Sequence, residues 1–157
     1  LLSQVRLDSF GSLATCLDLT ILTPIRSKKE EPARLILGWA NLGSLLECTL
    51  QIFLAAWLRD YLKDSNAHKN KKGAIVLPQD LSLEPLRVFF DKSIWTEEQK
   101  QPWSPWILEV QQHRNAIHAL KPRSLGTWQE LESAVRQYFE LLFMINGMLP
   151  YPDFDYD

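Results

Sequence analysis

Cysteine is scarce in this sequence, with only Cys16 and Cys48 among 157 residues. Neither belongs to a CxxC pair or stands at Cys/His spacing, which excludes a zinc-finger framework and a disulfide scaffold; a reducing, cytosolic compartment is the expectation. Glycine is also sparse, at six residues, and none of them forms a glycine-rich phosphate loop. The nucleophile elbow GxSxG and the metalloprotease string HExxH are both missing. No carboxylate–histidine cluster has metal-ligand spacing, so neither a metal nor another cofactor is expected. A large excess of charge of one sign is missing too. Seventeen Lys and Arg against nineteen Asp and Glu leave −2, so the chain as a whole is not a polycation that would coat nucleic acid.

What is present is an ordinary globular composition, 46% hydrophobic and 23% charged, with six tryptophans. At this length a single domain over 1–157 is expected. The sequence begins with Leu, not Met, so residues missing ahead of it are an expectation. The apolar stretch from Leu35 to Leu58 is about long enough to span a bilayer. Within it, however, Asn41, Ser44, Glu47 and Gln51 follow at helical spacing and draw a polar stripe, and a glutamate at mid-membrane is costly. The expectation is a buried central helix with no membrane contact.

Periodicity predicts an all-α bundle of four to five helices. The first covers Leu1 to about Ile21, and "TPIRSKKEEP" reads as a charged connector. The second starts near Pro32 or Ala33 and runs to about Asp64, since proline is tolerated in a first turn. Residues 65–73, "SNAHKNKKG", read as an exposed loop. "LSLEPLRVFFDKSIW" predicts a third helix, short or broken at Pro85. "TEEQKQPW" reads as a polar break, and Ser104 followed by Pro105 as the N-cap and first residue of a fourth helix ending at Lys121. Thr127 and Glu130 form a capping box for a fifth helix, whose apolar face is Leu131, Ala134, Val135, Tyr138, Leu141, Leu142 and Ile145 and which Gly147 ends. Residues 150–157 are expected to be an extended tail.

One segment concentrates chemistry. "HRNAIHALKPR", His113 to Arg123, holds two of the three histidines and three cationic side chains with no carboxylate. On a helix, Arg114 falls between Ile107 and Val110 on the apolar arc, and His118 lies one turn on, about 40° away. A charged guanidinium on an inward arc needs a cause. One reading is structural, with Arg114 paired to Glu47 of the central helix and His118 filling a core niche. The other is chemical. A guanidinium matches phosphate oxygens, an imidazole titrates near neutral pH, and the two held one turn apart suit metal-independent RNA cleavage. In that reaction the ribose 2′-hydroxyl attacks the adjacent phosphorus, His118 moves the proton and Arg114 stabilises the charge on the nonbridging oxygens, with Asn115 in support. His113, Lys121 and Arg123 are further candidates for RNA contact.

The string "RNAIH", preceded by "PWILEVQQH" and followed by proline and a capped last helix, resembles the motif of the HEPN superfamily of small helical-bundle proteins. "LGSLLECTLQIFLAAWL" and "LSLEPLRVFF" resemble the long early helix and the intervening helix of its bacterial members, so the likeness covers most of Ala33 to Gly147. The family's Arg, polar residue and His fall on Arg114, Asn115 and His118, with a shorter Arg–His separation here than is usual. The resemblance implies a helical bundle, a symmetric homodimer bringing two motifs together, and metal-independent endoribonuclease activity. It also implies a place in toxin–antitoxin or phage-defence systems, often beside a nucleotidyltransferase-type antitoxin. Some members are noncatalytic dimerisation or regulatory modules.

Overall fold

The long apolar stretch becomes the axis of an all-α fold. The computed structural model describes residues 11–17, 30–115 and 124–150, and no β-strand occurs among them. Residues 11–17 are helical (α1), and Leu17 joins the core. The rest of the expected first helix, most of the charged connector and the tail from 151 lie outside the described residues. Helix α2, Glu30–Ala56, carries Pro32 in its first turn, where no intrahelical N–H is needed. It buries Leu35, Trp39, Leu42, Leu46, Leu50 and Phe53, recurring every three or four residues. Each such side chain contributes on the order of 2 kcal/mol when fully buried. By length and composition α2 could also cross a membrane, but half of its most apolar window is buried inside the protein.

The expected continuation to Asp64 is interrupted at Trp57. There the backbone turns to φ −99° and ψ 30°, and a short helix α3, Leu58–Tyr61, follows. The Trp57 indole N–H donates to the Met148 carbonyl at 3.2 Å, which links this corner to the far end of the last helix. The loop read over 65–73 is mostly exposed, yet it is built as a tight turn. The Asn70 side-chain oxygen accepts from the N–H groups of Lys72 and Ala74, Gly73 takes φ +81°, and an isolated antiparallel bridge joins Lys69 to Ile75. The Tyr61 hydroxyl donates to the Val76 carbonyl at 2.7 Å and fastens the turn to α3.

Pro85 does not break the third helix. It lies in the first turn of α4, Leu83–Phe89, and the chain then widens into a π-type turn, Phe90–Ile94. The polar break and the Ser104 N-cap are corrected by the structure: helix α5 runs from Glu97 through Asn115 with Pro102 and Pro105 inside it. Its start is a capping box that the prolines concealed. Thr96 Oγ1 accepts from the Gln99 N–H at 3.3 Å, while Gln99 Oε1 accepts from the Thr96 N–H at 3.1 Å. Ser104 instead donates to Asp91 Oδ2 at 2.8 Å and accepts from Arg87 at 3.0 Å, tying α5 to α4. Arg87 also grips Glu84 through two nitrogens, and these hydrogen bonds hold the Glu84 carboxyl below its ordinary pKa.

Helix α6, Trp128–Gly147, opens on the Thr127–Glu130 capping box and buries Leu131, Ala134, Val135, Tyr138, Leu141 and Ile145. Leu131 packs at Gly38, Tyr138 at Thr49 and Met148 at Trp57, so α6 runs parallel to α2. His113 and Arg114 at the C-terminal end of α5 meet Trp39 and Glu47, while Ser104 stays near α4; α5 therefore runs antiparallel to α2.

Candidate functional site

Three positions one turn apart on α2, Trp39, Gly43 and Glu47, form the floor on which the end of α5 rests. Each meets a different part of the His113–Arg114 pair. The His113 ring stacks on the Trp39 indole with centroids 4.2 Å apart and planes 15° from parallel. The Arg114 stem crosses Gly43 so closely that a Cβ there would stand 2.6 Å from Arg114 Cδ. Only glycine leaves that space. Beyond it, Arg114 Nη1 donates to Glu47 Oε2 at 2.8 Å, with the arginine side chain 28% exposed and the glutamate 21%.

The inward register of Arg114 on α5 is thus occupied by a stem in van der Waals contact and a head facing a carboxylate. A half-buried ion pair of this kind meets the desolvation cost of each partner with the other's charge. A guanidinium has five N–H donors, and among the described residues one of them is engaged, by Glu47.

His113 has a different setting. Its Nδ1 is shut off from solvent and has no hydrogen-bond partner among the described residues, and its ring also lies against Gly126, where a Cβ would come within 3.0 Å of Cε1. Gly126 takes φ +71°, and the preceding Leu125 carbonyl accepts from the Trp39 indole N–H at 2.9 Å. Trp39 thus holds both α5 and the segment leading into α6. Asn115 is exposed at the end of the described part of α5. His118, Lys121 and Arg123 lie outside the described residues.

The polar stripe of α2 serves several neighbours. Glu47 faces Arg114, Gln51 donates to the Leu81 carbonyl at 2.8 Å, and Ser44 turns back to the Ala40 carbonyl of its own helix. Among the described residues no group of three or more His, Cys, Asp and Glu could hold a metal ion. Sequence reasoning missed Trp39 and Gly43. Their signal was a tryptophan, a glycine and a glutamate at i, i+4 and i+8, which place a ring, a gap and a charge along one helix face. No family model, curated protein or solved structure matches this chain.

Proposed function

We propose that the chain is a HEPN-type, metal-independent endoribonuclease that works as a homodimer, possessing the Arg-Asn-x-x-His motif in Arg114, Asn115 and His118. The observation that supports this reading is the state of Arg114, which Glu47 and Gly43 hold in place while its side chain stays 28% exposed. A cation held in this way can receive a phosphate without first giving up its side-chain freedom. Arg114 binds the nonbridging oxygens of the scissile phosphodiester. His118 takes the proton from the 2′-hydroxyl as it attacks the adjacent phosphorus, or delivers one to the departing 5′-oxygen. The products are a 2′,3′-cyclic phosphate and a 5′-hydroxyl, which sets the acid–base requirement. A role in phage defence or as a toxin with a nucleotidyltransferase-type antitoxin follows from the resemblance.

The same ion pair favours a second reading, a noncatalytic helical module in which Arg114 ties α5 to α2. Incubation of the purified protein with RNA in EDTA separates the two. The nuclease reading expects cyclic-phosphate products from the wild type and a loss of about a hundredfold or more in Arg114→Ala and in His118→Ala, both still folded. Activity that survives both substitutions, or no cleavage by the wild type, removes the nuclease reading and leaves the helix tie.

A further inference from the structure

Toward the C-terminal end of α2, beyond the Arg114–Glu47 pair, a cavity of about 300 Å³ opens between α2, α3, α4 and the end of α6. Phe53, Trp57, Phe89 and Met148 wall it, and Asp60 and Asp64 supply carboxylates. Asp60 lies in α3 and Asp64 just past its end, where the Asp64 N–H donates to the Asp60 carbonyl at 3.1 Å, and both line the opening. Among the described residues neither has a Lys, Arg or His within ion-pair distance, the ion pairs there being those of Arg87, Lys100 and Arg114.

Asp64 is held in place. Its Oδ1 accepts from the Asn66 backbone N–H at 2.7 Å, and the Asn66 side chain donates to the Ser93 hydroxyl at 3.1 Å, bridging the turn after α3 to the π-type turn after α4. Trp57 is held as well, because its indole N–H is engaged by the Met148 carbonyl and its ring is left as a wall. The result is an apolar, aromatic recess with anchored negative charge and, among the described residues, no cation lining it.

We propose that this cavity binds a small organic ammonium ion with an apolar body, of the arylalkylamine class. The apolar part displaces water from the Phe53, Phe89 and Met148 walls. The ammonium lies between the Asp60 and Asp64 carboxylates, within reach of the Trp57 ring face, where a cation is attracted by the ring quadrupole. The volume admits on the order of ten non-hydrogen atoms, taking about 30 Å³ for each water-sized unit. A neutral ligand of the same shape gains the apolar contacts but not the charge contacts. An anion is repelled. The site stands apart from Arg114 and does not depend on the nuclease reading.

Calorimetric titration of the intact protein with 2-phenylethylamine, and in parallel with its neutral counterpart 2-phenylethanol, tests the proposal. The amine is expected to bind more tightly than the alcohol by about tenfold at low salt. That preference is expected to disappear in Asp60→Asn/Asp64→Asn while alcohol binding stays the same. The single variant Asp60→Asn, at an exposed position, is expected to lose part of the preference and serves if the double variant does not fold. Equal binding of amine and alcohol, a preference that persists in the variants, or no binding of the amine to the wild type would each overturn it.

Discussion

Tyr138 sits where α6 meets α2, and its hydroxyl lies 2.9 Å from Thr49 Oγ1. Thr49 donates its own proton to the Leu45 carbonyl, so Tyr138 is the donor in this pair. Burial pushes the phenol pKa up from 10.0 to about 12. The unfolded chain releases this proton first, so the contribution is fully present below pH 10 and is lost as pH rises toward 12. Tyr138→Phe is expected to cost about 1 kcal/mol at neutral pH through the lost hydrogen bond. Urea denaturation across pH 8 to 11 should then show the gap between wild type and variant closing above pH 10, by up to about 1.4 kcal/mol per pH unit. A gap independent of pH would remove the burial argument. Residue-level reading of the candidate site shows the same division. Helix arithmetic put Arg114 on the inward arc, but it could not show that Gly43 provides the space, because periodicity along one helix does not say which segment will cross it.

The capping boxes show how far elements can be read. "TWQE" opens α6 as its spacing predicts, since nothing downstream argues against a helix. "TEEQ" has the same chemistry, yet Pro102 and Pro105 made the segment read as a break. The helix continues through both prolines. Each removes a backbone donor, and tertiary packing offsets the loss, because Trp106, Ile107 and Val110 are buried on the far side of them. Thr96→Ala is therefore expected to lower stability by about 1 kcal/mol, read as a shift of the urea midpoint with an unchanged slope. No change would mean that the first turns of α5 contribute nothing to the folded state.

At the scale of the molecule, α2 is surrounded by α4, α5 and α6, and the outer face of α6 still carries two exposed aromatic residues. Phe139 is 57% exposed and Phe143, one turn on, is 82% exposed. Single exposed apolar residues are ordinary, but two large ones aligned on a rigid helix form a surface that a second copy can cover. If the chain forms the proposed homodimer, these side chains are expected at the contact. Sedimentation equilibrium is expected to give a dimer for the wild type and a monomer for Phe139→Ser/Phe143→Ser with an unchanged helical spectrum. A wild-type monomer at tens of micromolar, in the affinity range where transient pairs still form, would reject the homodimer.

The sequence by itself determined the helical class, the apolar faces of α2 and α6 and the cap of α6, because these follow from periodicity and local hydrogen bonding along one segment. It also placed Arg114 on the inward side of its helix. Only the tertiary structure decided that α5 passes through two prolines and that Trp39, Gly43 and Glu47 form the floor under His113 and Arg114. Those outcomes depend on residues far apart in the chain coming into contact, as in the Arg114–Glu47 and Trp39–Leu125 hydrogen bonds, 67 and 86 positions apart. Packing between segments can outweigh local propensity, and no single-segment pattern records which neighbour will be there.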